Sequence, residues 1–138
     1  MNGKRFIAAG LVIFVVTQVM GYVIDNFILK SMYDSLKGLW RPDMMSKIWV
    51  MYIMGLLFSL MFTYVFIKGR EGKGIQEGVR YGIIIWLFVI VPMYHSMWVV
   101  FPIPYTLILK WTLYGLLTAL IGGILAAVIY KPSAPAKA

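Results

Sequence analysis

The two residues best placed to do chemistry are Asp25 and His95, the second being the chain's single histidine. Both lie inside long apolar runs, where an ionisable side chain points to function by default. A carboxylate beside an imidazole strengthens the ring's hold on a proton, and such a pair binds or passes one. Counted from the basic ends of their runs, Asp25 lies ~19 residues in and His95 ~16. That is a difference of ~5 Å along a helix rising ~1.5 Å per residue, within reach of two side chains. Gln18, Tyr22, Tyr52, Tyr94 and Tyr114 fall at neighbouring depths and complete a candidate polar site. Trp40, Trp49, Trp98 and Trp111 sit near the same boundary, as amphipathic rings do at a membrane surface. The competing expectation keeps Asp25 at the water boundary and His95 on a backbone carbonyl freed by Pro92.

Other chemistry finds little support. Met93-x-His95-x-Met97 offers soft ligands of the kind that suit Cu(I). On a helix, however, His95 points ~200° away from Met93, so the three converge only if Pro92 breaks the helix. One histidine excludes a bis-histidine haem and leaves only a His–Met pair open. With no cysteine there is no disulfide, thiolate metal site or thiol nucleophile. The glycine-rich "KGREGKGIQEG" is not a phosphate-binding loop, because no G-x-x-x-x-G-K-[ST] is present. No catalytic triad or paired carboxylate occurs. The expectation is therefore no catalytic residue, no metal, no cofactor and no enzyme.

Four apolar runs must position these residues: 6–29, 48–67, 79–101 and 105–130. Each is long enough to cross ~30 Å of hydrocarbon as a helix. Lipid offers the backbone no hydrogen bonds, so helices are required. Hydrophobic residues make up 62% of the chain and charged ones 13%, about half the charge of a soluble domain. The expected fold is an all-α, antiparallel four-helix transmembrane bundle, 1–131, followed by a short flexible tail, 132–138. The first run is read as a retained span, since it lacks an A-x-A-like cleavage site.

Between the first two runs, Ile28, Leu29, Met32, Tyr33, Leu36, Leu39 and Trp40 recur at helical spacing, with Lys30, Asp34 and Lys37 on the other face. That pattern predicts an interfacial amphipathic helix, ended by Pro42. Trp49-x-x-Tyr52 and Trp111-x-x-Tyr114 open the second and fourth runs, so the chain has the marks of a duplicated helical hairpin. Gly55 and Ser59 on the second run, and Gly115, Ala119, Gly122, Gly123 and Ala126 on the fourth, form small-residue stripes for close helix packing. The third run is read as lacking such a stripe and as facing lipid or another protein.

Lys4, Arg5, Lys68, Arg70, Lys73, Arg80, Lys131 and Lys137 fall on one side of the membrane. Lys30, Lys37, Arg41, Lys47 and Lys110 fall on the other. The positive-inside rule then places both termini in the cytoplasm. The net charge of +8 points to anionic lipid rather than to nucleic acid, because the charges sit between apolar runs.

The four spans, the aromatic outer ends and "EGVRYG" (Glu77 to Gly82) resemble small four-span bacterial integral membrane proteins. This resemblance covers the whole chain, implies an inner-membrane location and carries no known catalytic residues. Small multidrug exporters share the span count, but their mechanism needs an acidic residue midway along the first helix, where this chain has Thr17 and Gln18. The leading expectation is a non-enzymatic accessory or interaction subunit of a larger membrane assembly, in contact with lipids and with other subunits or copies of itself. The alternative is a small-ligand or proton-coupled carrier using Asp25 and His95.

Overall fold

The structure is a computed structural model and describes residues 1–131; the expected flexible tail, 132–138, lies outside the described residues. Four helices are long and apolar enough to cross a membrane: span 1 (Gly3–Ile28), span 2 (Met44–Lys68), span 3 (Ile75–Val100) and span 4 (Tyr105–Ile129). Among the described residues there is no strand. Three spans begin three or four residues earlier than the apolar runs suggest, because their first turns include polar residues such as Lys4, Lys47 and Glu77. Asn2 shows the reason: its side chain accepts from the Arg5 amide and starts span 1 ahead of the apolar sequence.

Span 4 is the hub. Its most apolar window is 33% buried, whereas that of span 3 is 0% buried. Span 4 packs along span 3 and span 1, and span 1 packs along span 2. Spans 2 and 3 do not pack along their length, so the helices run around the bundle as 2, 1, 4, 3 with a gap between the ends of the series.

Glycines set the tightest of these contacts. A Cβ on Gly78 would lie 2.3 Å from the Gly123 carbonyl oxygen, and one on Gly82 would lie 2.5 Å from that of Ala119. Spans 3 and 4 therefore touch backbone to backbone through Gly78-x-x-x-Gly82 on one side and Ala119-x-x-x-Gly123 on the other. This corrects the expectation that span 3 has no small-residue stripe. The remaining small residues of span 4 turn elsewhere: Gly122 faces Phe62 and Ile13, and Ala126 and Ala127 join Ile13, Phe62 and Phe66 in one core cluster. Gly115 meets Ile90 and Tyr94, and Gly55 meets Gln18 and Phe14.

A second core cluster, Leu29, Ile103, Leu107 and Ile108, closes the opposite end of the bundle. The short "FPIPY" connection places Ile103 there, its amide donating to the Phe101 carbonyl at 2.7 Å. The amphipathic segment after span 1 is a short helix, Lys30–Ser35, followed by a 3₁₀ turn at Lys37–Leu39. Met32, Tyr33, Leu36 and Leu39 pack onto this cluster. The predicted apolar face is thus present, and it covers the end of the bundle.

Candidate functional site

Two π-helical turns interrupt the spans near the candidate residues, Ile24–Ile28 and Trp86–Ile90. Such wide turns recur at functional positions. The second has a local cause. Pro92 carries no amide, and in a regular helix its ring would press on the carbonyl four residues back. The wide turn immediately before it shifts the ladder, with the Val91 amide bonding to the Trp86 carbonyl. The helix then continues through Val91–Val100 without a break. Met93, His95 and Met97 consequently keep their helical directions and do not converge.

The His95 ring turns back on its own helix. Its Nδ1 lies 2.9 Å from the Val91 carbonyl oxygen. A carbonyl only accepts, so Nδ1 carries the proton and, in the neutral ring, Nε2 is the bare nitrogen. The bond goes to the residue before Pro92, not to the carbonyl that the proline leaves without its donor. On its other side, His95 stands edge-on to Tyr105 at 5.8 Å, and Trp98 does the same at 5.2 Å.

Asp25 takes a different partner. The Tyr33 hydroxyl donates to its carboxylate at 2.8 Å, and the Trp111 indole N–H donates to the Tyr33 hydroxyl at 2.8 Å. A chain of two hydrogen bonds thus joins span 4 to the connecting helix and the connecting helix to the π turn of span 1. Burial holds the Tyr33 phenol well above its ordinary pKa; the Trp111 bond opposes this and the Asp25 carboxylate adds to it. A phenol that keeps its proton can go on donating to Asp25. Trp40 stands edge-on to Tyr33 at 5.6 Å, and Tyr94 lies 5.4 Å from Trp111. The arrangement latches the connecting helix over the end of the bundle.

The other expected site residues separate into groups. Tyr114 packs on the same end cluster as Tyr94 and Trp111. Gln18 lies deeper, against Gly55. Tyr22 is exposed and paired edge-on with Phe27. Trp49 and Tyr52 are 60% and 50% exposed, on the outer face of span 2. The two Trp-x-x-Tyr motifs therefore occupy different surroundings, one outward and one against the latch. Tyr33 is the member of the site that sequence reasoning passed over. Its signal was a hydroxyl-bearing ring on the apolar face of the connecting helix, since a buried phenol needs a partner.

Elsewhere in the spans, several hydroxyls and the Trp86 indole turn to the backbone. Thr17, Ser59, Thr63, Thr112 and Thr118 each donate to a carbonyl three or four residues back. Tyr81 donates to the Phe62 carbonyl, and Trp86 to that of Thr112. Among the described residues no buried polar side-chain atom lacks a partner.

One open feature is the gap between spans 2 and 3. It holds an apolar groove of about 290 Å³, walled by Met54, Phe58 and Phe62 on one side and by Ile85 and Ile90 on the other. Spans 1 and 4 form its floor through Ile13, Thr17, Ala119 and Gly122. Met54 and Phe58 are half exposed, so the groove opens sideways, where the spans meet lipid. Tyr81 closes it towards the termini, its ring 4.7 Å from that of Phe62 and 5.4 Å from that of Phe66. Comparison with protein-family models, curated proteins and solved structures returns no match to this chain, so its reading rests on this geometry.

Proposed function

We propose that this membrane protein is a non-enzymatic interaction subunit of a larger membrane assembly, and that a partner membrane protein engages it along the groove between spans 2 and 3. The observation that carries the reading is the apolar groove that spans 2 and 3 leave between them. A bundle closed for its own sake would pack spans 2 and 3 together, as it packs spans 3 and 4. The groove's volume suits a row of side chains and not a whole helix of ~10–12 Å diameter. The partner therefore lays a ridge of apolar side chains into it, the geometry of ordinary helix packing. The hydroxyls around the groove support the same reading, because Thr17, Ser59 and Thr118 each bond to a carbonyl of their own helix. The end bearing both termini, richer in Lys and Arg, faces the cytoplasm.

The test uses the absence of cysteine from the chain. A photo-reactive label on Phe58→Cys or Met54→Cys, in native membranes, is expected to yield one discrete protein adduct. The same label on Val19→Cys, exposed on span 1, is expected to yield lipid adducts alone. Two differently tagged copies in one membrane distinguish a second copy of this chain from another protein. Equal labelling patterns at Phe58 and Val19 overturn the proposal.

A further inference from the structure

We propose that the end bearing the chain termini holds one anionic phospholipid, its phosphate between Lys68 and Arg70 and its acyl chain along span 2. This site is separate from the groove and does not depend on the role proposed for it.

A pocket of about 430 Å³ opens at this end, lined by Met1, Ile67, Lys68, Arg70, Gly72 and Tyr130. Among the described residues, no acidic side chain lines it. The two acids at this end are engaged elsewhere. Glu71 pairs with Lys73 at 2.5 Å and with Arg80 at 2.6 Å. The buried Glu77 carboxylate accepts from the backbone amides of Glu71 and Lys73. Those bonds draw the loop inward over the start of span 3. Gly72, with φ +81°, makes the left-handed bend there.

Lys68 and Arg70 have no carboxylate partner among the described residues. Each lies over a ring instead: Lys68 Nζ is 5.5 Å from the centre of Tyr64, and the Arg70 guanidinium carbon is 5.6 Å from that of Tyr130. A ring orients a cation and leaves its charge available. The pocket floor is fixed by cross-links between the first and last described segments. The Asn2 amide donates to the Tyr130 hydroxyl at 2.8 Å, and Arg5 donates to the Lys131 carbonyl at 2.8 Å. Arg5 thereby brings a further positive charge to this end of the bundle.

The surroundings select an amphiphile. Met61, Tyr64, Val65 and Lys68 lie at i, i+3, i+4 and i+7 on span 2, one face of a helix. All four are exposed. A phosphate at Lys68 therefore leaves its acyl chain alongside Val65 and Met61, at the depth of the hydrocarbon. Arg70 offers a planar fork that bonds a phosphate through two N–H groups, and Lys68 offers a point charge. The shared chemistry is a phosphate anion, and the adjacent apolar face assigns it to lipid.

The experiment is native mass spectrometry of the full chain in detergent, with equal amounts of dioleoyl phosphatidylglycerol and dioleoyl phosphatidylcholine. The wild type is expected to retain one phosphatidylglycerol in preference to phosphatidylcholine. Lys68→Gln with Arg70→Gln is expected to cut that preference roughly tenfold or more, at an unchanged helical circular dichroism signal. Arg70→Lys keeps the charge and is expected to keep most of the preference. Lys37→Gln with Lys47→Gln, at the other end, is expected to change nothing. No preference in the wild type, or equal loss from the two double variants, overturns the site. Full displacement of the lipid by millimolar inorganic phosphate assigns the pocket to a soluble phosphate and overturns the lipid.

Discussion

The backbone contact of spans 3 and 4 makes a sharp prediction about Gly78→Ala. The new Cβ would stand 2.3 Å from the Gly123 oxygen and 2.7 Å from its carbonyl carbon, whereas ordinary contact begins at 3.4 Å. Both obstacles are backbone atoms of a packed helix, so no side-chain rotation relieves them, and the helices must part locally by about 1 Å. A gap of ~0.5–1 Å forfeits a quarter to a half of each dispersion contact it opens. For a patch making as many contacts as one buried leucine, ~40–60 pairs at ~0.1–0.2 kcal/mol, the loss begins at about 1 kcal/mol. Relaxation holds the cost of such overpacking to about 1–3 kcal/mol. The assay is reversible unfolding of the full chain in mixed micelles of rising denaturing-detergent fraction, followed by circular dichroism. Two other glycines calibrate it. At Gly10 a Cβ would meet the movable Cδ2 of Leu60 at 2.6 Å, and at Gly21 it would meet nothing within 4 Å. The expected order of loss is Gly78→Ala, then Gly10→Ala, then Gly21→Ala at about zero. Gly78→Ala combined with Gly123→Ala is expected to cost less than the sum, since the first Cβ already parts the helices that the second would part. If Gly78→Ala unfolds with Gly21→Ala, the close approach of spans 3 and 4 is refuted.

Four further outcomes follow from the ends of the bundle. Tyr33→Phe removes the hydroxyl between Trp111 and Asp25; it is expected to cost about 1 kcal/mol and to speed amide exchange across residues 30–35, read by hydrogen exchange. The raised Tyr33 pKa means that its contribution is complete below an ordinary phenol pKa of ~10 and is lost as pH rises through the folded value, so the advantage of wild type over Tyr33→Phe in unfolding assays is expected to shrink and then reverse at strongly alkaline pH. Lys73 first, and Arg80 second, hold the Glu71 carboxyl below its ordinary pKa, so carboxyl NMR titration is expected to show a larger upward return in Lys73→Gln than in Arg80→Gln. For His95, ¹⁵N spectra at a pH where the ring is neutral are expected to show the proton on Nδ1, with a pattern unchanged by Asp25→Asn; a changed pattern would mean that the carboxylate reaches the ring after all.

The spans were legible in the sequence because lipid leaves an apolar run of this length few alternatives to a helix. Their pairing was less legible. Gly78 and Gly82 form a G-x-x-x-G pattern, but Glu77 and Arg80 surround it with charge, and the segment reads as the entrance of a span. Those charges have local work: Glu77 gathers the loop amides and Arg80 meets Glu71. Gly78 and Gly82, on a different face, are left to meet span 4. A small-residue pattern is thus a packing signal wherever its own face is apolar, even when the neighbouring face is charged.

Depth counting set Asp25 and His95 at neighbouring levels, yet the two take different partners. Depth fixes one coordinate of a side chain and leaves its direction around the helix free. For His95 the direction follows from the wide turn at Trp86–Ile90, which lets the helix run on through Pro92 and keeps the ring beside the Val91 carbonyl. For Asp25 it follows from the π turn at Ile24–Ile28, where the Leu29 amide reaches back to Ile24 and Leu29 itself is wholly buried. Once Leu29 is drawn into the end cluster, the connecting helix must fold over the bundle, and Tyr33 arrives between Asp25 and Trp111. Both outcomes hinge on where a helix widens by one residue. Hydrophobic periodicity averages over several turns and is blind to a single wide one, so the partners of these two residues could be found only from the folded chain.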